Sequence, residues 1–342
     1  MKLNKYLHLF ADCIPVKGAK HSVIMDIGRK ELYEISNDYI ELISKFRNNT
    51  IGSVFKEFSE DDIENKITPF ISYVLDCELG HLISDPEEFP AIDFSYNDYS
   101  NINNAIIDIN KKNHNFQQVF KELDELGTKY IQIRFYKSAS ISDLSKIIVA
   151  TEATSFYSIE IICSYESELD STLSDFLKLT PIITSFTLTN CDKNEIENIY
   201  LDEKSKTLIS RIIRTKQKVN SCLDCGIINR RNMVIPDIQG VSEIKKFNSC
   251  LNKKISIDVD GKIRNCPSMK EDFGLYTTGK LKEIVRKEDF KAIWNVNKDT
   301  ISVCKDCEYR YVCSDCRAFI ADTKKDKPLK CKYNPYTGIW EK

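Results

Sequence analysis

The chain has 342 residues, of which 42% are hydrophobic and 29% charged, with a formal net charge of −2. That is length for about two or three domains with real cores, and the balance excludes a disordered chain. Near-neutral charge argues against a nucleic-acid partner, and no apolar run is long enough to span a membrane.

Residues 1–90 predict short strands, a helical trio and a closing strand. The opening MKLNKYLHLFADCIPVKG interrupts its apolar stretch with His8 and Asp12 and shows no small-residue cleavage site. It does not form a signal peptide, and a cytoplasmic, reducing location follows. Ser22–Asp26 and Glu31–Ile35 are β-like runs around Gly28-Arg29-Lys30. Asn37 is placed to cap a helix carrying Ile40, Ile43 and Phe46 at helical spacing. Thr50 opens a second helix through Val54, Phe55 and Phe58. Ser59-x-x-Asp62 is a capping-box-like start for a third, with Ile63, Ile67, Ile71, Val74 and Leu75, which Pro69 should kink or delay. Strands flanking three helices suggest a winged-helix-like module.

Residues 91–115 predict a linker followed by a strand, Ala105–Ile109. An alternation then begins. Phe116–Leu126 is an amphipathic helix closed by Gly127, Tyr130–Tyr136 a strand, and Ile141–Ala150 a helix. Tyr157–Ser164 is a strand, Glu166–Leu179 a helix and Ile182–Thr189 a strand. Repeated β-α units argue for a parallel sheet or partial barrel over 91–221.

Residues 222–342 change character: nine of the thirteen cysteines fall there. A reducing compartment does not keep such a set as disulfides, so this third is a metal or cluster domain. Cys250 and Cys266 bracket a hairpin, with Ile255, Ile257 and Val259 alternating and Asp260-Gly261 as a two-residue turn. That turn pairs position 259 with 262 and 255 with 266, and brings Cys266 within reach of Cys250. Cys304, Cys307, Cys313 and Cys316 follow as C-x2-C-x5-C-x2-C, and Cys331 comes after 14 intervening residues. Two C-x2-C pairs also make zinc sites, but zinc ribbons place about 15–20 residues between the pairs. The compact run points to iron–sulfur clusters, and nine thiols suffice for two four-cysteine sites plus one spare. Two [4Fe–4S] clusters are therefore expected, with zinc as the alternative. Cys222-x-x-Cys225 could supply one or two ligands or form a redox pair, and its place in a cysteine-rich stretch favours ligation. Cys13, Cys77, Cys163 and Cys191 are isolated and read as small hydrophobes.

Several motifs are missing or incomplete. No C-x3-C-x2-C occurs, and there is no G-x-G-x-x-G. Asp258-Val259-Asp260-Gly261 begins like a calcium loop, but Ser256 and Pro267 stand where acids are needed. Gly274-x4-Gly279-Lys280 is like a P-loop, but Leu281 replaces the magnesium-binding hydroxyl. His8, His21, His81 and His114 are scattered, and no catalytic residue can be named.

The cysteine spacing of 250–266, 304–313 and 331 resembles the SPASM domain, the auxiliary-cluster domain that follows radical SAM enzymes acting on peptides. The departure is between Cys313 and Cys316, two residues where that family has three. The whole chain is similar to the SPASM-domain peptide maturases of grasp-with-spasm systems. LFADCIPVKG, CLNKKISIDVDGKIRNCPSM, CKDCEYRYVCSDCRAF and KPLKCKYNPYTGIW carry the likeness. The resemblance implies an α/β chain in three parts: a winged-helix-like peptide-recognition module (1–90), a degenerate radical SAM-like partial β/α barrel (91–221) and a Cys-rich SPASM domain (222–342). It implies that Cys304, Cys307, Cys313 and Cys331 hold a distal cluster. Cys250, Cys266 and Cys316 would hold a proximal one, with Cys222 or Cys225 as fourth ligand. It also implies a ribosomally made precursor peptide and an ATP-grasp ligase as partners. The precursor would add along a strand edge of the N-terminal module. Without the three-cysteine motif, S-adenosylmethionine is not expected to bind. The expected function is peptide maturation with the clusters shaping the site or relaying electrons. The alternative is a non-catalytic precursor-binding scaffold with structural clusters or zinc.

Overall fold

A computed structural model of the chain describes residues 2–110, 114–202, 206–321 and 325–341. Of the expected linker and strand at 91–115, positions 111–113 lie outside the described residues. The protein is a mixed α/β fold around a large, mostly parallel sheet.

The N-terminal part opens with β1 (Tyr6–Leu9) and β2 (Cys13–Lys17), followed by β3 (Ser22–Asp26) and β4 (Glu31–Ile35). The last three form an antiparallel sheet in the order β2-β3-β4. Four short helices come next: α1 (Asn37–Phe46), α2 (Ile51–Phe55), α3 (Glu60–Asp62) and α4 (Thr68–Asp76). The closing strand β5 (Gly80–Ile83) returns to pair with β1. The side chains of Thr50 and Ser59 cap α2 and α3 as expected. The cap of α1, however, is Ser36, whose hydroxyl accepts from the Asp38 N–H at 3.4 Å. Asn37 is drawn away: it accepts from Ser22 Oγ at 2.5 Å and donates to the carbonyls of Gly18 and Ala19. Pro69 does not kink α4. A π turn at Ile63–Ile67 runs directly into it, and the proline sits in the first turn of α4. Leu7, Phe46, Ile51, Phe70 and Val74 pack as the core of this part.

The central sheet takes its strands from the β-α alternation. These are β6 (Asn104–Ile109), α5 (Phe116–Glu125), β7 (Tyr130–Phe135), α6 (Ile141–Thr151), β8 (Ser158–Ser164), α7 (Ser167–Leu179) and β9 (Ile183–Thr189). Neighbouring strands from β6 to β9 are parallel. The sequence pattern missed two further strands, β10 (Glu195–Tyr200) and β11 (Leu208–Arg214). β11 lies parallel to β9 and β10 forms the antiparallel edge. Their signal is weak because the edge strand, EIENIY, buries only Ile199.

Past α8 (Ile238–Lys246) come β12 (Lys254–Ile257) and β13 (Ile263–Arg264). β12 pairs parallel with β6, so the hairpin extends the central sheet across position 221. The hairpin register differs from expectation by one: Ser256 faces Arg264 and Ile257 faces Ile263. The Asp258 carboxylate explains this, since it accepts from the N–H groups of Asp260 and Lys262 at 3.0 and 2.9 Å. A three-residue loop results, with Gly261 at φ +81 taking the left-handed position. The rest is α9 (Lys280–Val285), α10 (Glu288–Lys291) and a small ladder of β14 (Tyr333–Asn334) with β15 (Ile339–Trp340). The P-loop-like stretch leads into α9, whose start is already filled by a carboxylate of this chain. Buried Glu122 accepts from the Gly279 and Leu281 N–H groups at 2.8 and 3.3 Å and from Tyr276 at 2.8 Å.

Contacts tie the first part to the last. Tyr309 donates to Glu34 at 2.7 Å, Arg310 to the Lys17 carbonyl at 2.6 Å, and the Ala19 N–H to the Asp306 carbonyl at 2.7 Å. Val16, Val23 and Met25 share one apolar core with Tyr309, Val312 and Tyr333.

Candidate metal centres

Cys304, Cys307, Cys313 and Cys331 line one small cavity, and they are the only thiols that do so. Local turns place them. Cys304 opens a single 3₁₀ turn through Asp306, and the Cys307 N–H donates back to the Cys304 carbonyl at 3.1 Å. The Cys313 N–H reaches the Tyr309 carbonyl at 3.1 Å, and the Cys331 N–H the Pro328 carbonyl at 3.0 Å. Val303, just ahead of Cys304, sits at φ +67, a backbone state that a β-branched residue adopts only when its surroundings impose it. The remaining walls are mostly apolar or aromatic, among them Ile228, Met233, Pro328 and Trp340, with Lys298 and Arg310 as the charged members. Burial pushes the Cys304 thiol up to about 12 and Cys313 up to about 11, and raises Cys307 as well. Unliganded, these groups are therefore thiols at neutral pH, and a metal that binds them displaces protons.

The second set lies against the hairpin. Asn248 and Ser249, just before Cys250, bind the other cysteine run. Asn248 donates to Asp315 at 2.8 Å and Ser249 to the Cys313 carbonyl at 3.3 Å. Cys266 ends the second hairpin arm. Burial raises its thiol, and Cys250 adds to that. Burial likewise raises Cys316, with Cys250 and then Cys225 among its electrostatic neighbours. Gly226 makes room for this approach: at φ +83, a side chain there would meet Cys316 Sγ at 2.8 Å. The loop holding Cys225 is clamped by Lys330, which donates to the Leu223 carbonyl and, at 2.7 Å, to the Cys225 carbonyl.

The two members of the C-x2-C pair differ in their electrostatic neighbours, although Arg134, a neighbour of Cys222, is also one of Cys266. The electrostatic neighbours of Cys225 include Cys316 and Lys254. Burial raises the Cys222 thiol, and its charged neighbours are Asp108 and Arg134. Those two form a buried bidentate ion pair across β6 and β7, at 2.7 and 2.9 Å, and Tyr136 also donates to Asp108. Cys222 is fixed there by Ser268, which donates to its carbonyl at 2.7 Å.

Each set has buried cations beside it, which sequence reasoning missed. Lys254 Nζ lies 3.7 Å from Cys250 Sγ. Burial works against its charge, but Cys250, Cys266 and Cys225 outweigh burial and raise its pKa. At the other set Lys298, 3% exposed, donates to the Cys313 carbonyl. Arg317 pairs with Asp315 at 2.7 Å in full burial. A lysine in a strand looks like a solvent-facing residue, so only its place four positions after Cys250 could have hinted at Lys254.

The donor chemistry suits a cluster. Four thiolates carry a negative charge that needs nearby cations once water is excluded. The space at the first set is narrow, about 30 Å³, so the fit is one of donor type. Among the described residues, no three or more Cys, His, Asp or Glu side chains converge as ligands of a metal ion. The four isolated cysteines stand apart from both sets: Cys13, Cys163 and Cys191 are buried and Cys77 is half-buried. Among the described residues, no helix is long and apolar enough to cross a membrane.

Compared with known families, residues 249–308 match the SPASM iron–sulfur cluster-binding domain. The chain thus carries an iron–sulfur cluster-binding domain, and the matched stretch includes Cys250, Cys266, Cys304 and Cys307. No curated protein and no solved structure matches the chain.

Proposed function

We propose that this is an iron–sulfur maturation protein for a ribosomally made, post-translationally modified peptide, working in the cytoplasm beside an ATP-grasp ligase as in grasp-with-spasm systems. One [4Fe–4S] cluster is held by Cys304, Cys307, Cys313 and Cys331, the other by Cys225, Cys250, Cys266 and Cys316. The observation that carries the cluster assignment is the grouping of the first four thiols around one cavity. The nearness of Cys225 to Cys316 and Lys254 supports it over Cys222 as fourth proximal ligand. Bound clusters supply one-electron transfer.

The chain's own residues do the rest. Lys254 and Lys298 offset thiolate charge, and Glu34, Tyr309 and Arg310 fasten the N-terminal module, read as the winged-helix-like peptide-recognition element, to the cluster domain. The second reading is a scaffold that presents the precursor to the ligase, with structural clusters or zinc. It is favoured by one observation, the lack of a C-x3-C-x2-C motif. Mass spectrometry of precursor peptide incubated with the reduced, cluster-loaded protein tests the choice. A mass change without the ligase supports maturation by this chain. A change only when ligase and ATP are present supports the scaffold.

A further inference from the structure

The central sheet ends differently on its two sides. At one end β13 is covered by the chain itself. The Ile263 N–H donates to the Gly274 carbonyl, the Phe273 N–H to the Ile263 carbonyl and the Tyr276 N–H to the Gly261 carbonyl, at 2.9, 2.9 and 2.8 Å. At the other end β10 pairs with β11, and among the described residues no further segment pairs with it. An open edge presents unpaired backbone groups to any second strand, and chains blunt such edges with lysine, proline or a bulge. The β10 sequence, EIENIY, contains neither lysine nor proline. The irregularity of its ladder lies in β11: Ile199 faces Ser210 and Tyr200 faces Leu208, so Ile209 is the extra residue and β10 runs regular.

Side chains alternate faces along a strand. Glu195, Glu197 and Ile199 share the face toward α7. Arg214, which holds Asp170 of α7 at 2.6 Å, donates to Glu195 at 3.2 Å and to Glu197 at 2.9 Å, and Ile199 is buried. Ile196, Asn198 and Tyr200 share the opposite face, where Ile196 is 66% and Tyr200 41% exposed. Two large apolar side chains thus flank one amide on an unpaired edge.

We propose that β10 pairs antiparallel with β10 of a second copy of this chain, about a two-fold axis at Asn198, joining two central sheets into one. Two-fold pairing sets the central residue opposite its own counterpart and matches positions equally distant on either side. Charge and shape select the centre. A centre at Glu195 or Glu197 sets a carboxylate against its copy, and one at Ile196 sets Glu195 against Glu197 twice. Like charges directly opposite are destabilising. A centre at Ile199 sets exposed Ile196 against Asp202. A centre at Asn198 sets Ile196 against Tyr200 on both sides of the axis, Asn198 against Asn198 and Glu197 against Ile199, with no like charges opposed from 195 to 201. A cross-strand pair of an aromatic and a β-branched residue is a stabilising one. This self-match favours a second copy over a foreign strand. The inference depends neither on the clusters nor on a peptide substrate.

The test is sedimentation equilibrium of the full chain with its clusters, at up to about 100 µM, a concentration that populates any dimer of micromolar dissociation constant. A mass of two chains is expected. Ile196→Lys should weaken association at least tenfold, since it sets a lysine against Tyr200 twice. Adding Tyr200→Glu to that variant sets each lysine against a glutamate of the other copy and should restore association, whereas adding Tyr200→Lys should abolish it. Both positions are exposed, and circular dichroism checks that each variant folds. Tyr200→Lys, with Ile196→Glu as its rescue, serves if Ile196→Lys does not fold. A chain that stays monomeric at that concentration overturns the proposal, as does a dimer indifferent to the lysine variants. Weakening without rescue means another register or another contact and overturns it too. Iron content of the same samples reads the cluster assignment separately.

Discussion

Along β6 to β9 the inward side chains Ile107, Ile133, Ile161, Phe186 and Leu188 have no exposed surface, and regular ladders join each strand to the next. Among the described residues from Ser302 to Cys331 the backbone runs instead through isolated turns, with the side chains of Cys304, Cys307, Cys313 and Cys331 around a small cavity. The first region is held by apolar burial, at about 1.5–3 kcal/mol for each large side chain buried. The second has Val303 at positive φ and charged groups such as Lys298, Asp315 and Arg317 in its interior. Interiors of that kind gain their stability from what the thiols bind. On the proposed cluster assignment, one region is held by side-chain packing and the other by ligation, and variants should separate them.

The largest effect should come from Cys304→Ala. It removes one proposed ligand of the cavity set, and roughly half of the bound iron should go with it, along with the protease resistance of the stretch after Ser302. Limited proteolysis should then leave a fragment retaining the central sheet. Cys225→Ser should come next, lowering iron while the fold persists, whereas Cys222→Ser should leave iron unchanged. Iron loss from Cys222→Ser with none from Cys225→Ser would exchange their roles. Phe186→Ala, in the sheet, should cost about 3–5 kcal/mol of stability and leave iron per folded chain intact. Smallest is Cys163→Ala, buried in β8, which should cost on the order of 1 kcal/mol and change no metal content. Loss of iron there would erase the division between the two regions.

The same contrast governs what the sequence could reveal. The β-α alternation from Ala105 to Thr189 is visible because helical and strand periodicities report burial directly. The caps at Thr50 and Ser59 are equally local. The edge strands β1, β2 and β10 gave little signal because they are short or half exposed. The one-residue shift of the 254–264 hairpin came from a side chain, Asp258, which no turn rule for Asp-Gly includes. In the cysteine-rich third, spacing showed which thiols come in pairs. It could not show how Cys222 and Cys225 are each held, because that depends on Lys330 and Ser268, which are distant in sequence.

The most direct measurement is iron and acid-labile sulfide on anaerobically purified protein, with its visible spectrum. Two four-cysteine clusters predict about eight iron and eight sulfide per chain with a broad brown absorbance. Colourless protein carrying one or two zinc ions and no sulfide would contradict the cluster assignment and leave the last third a zinc-bound scaffold.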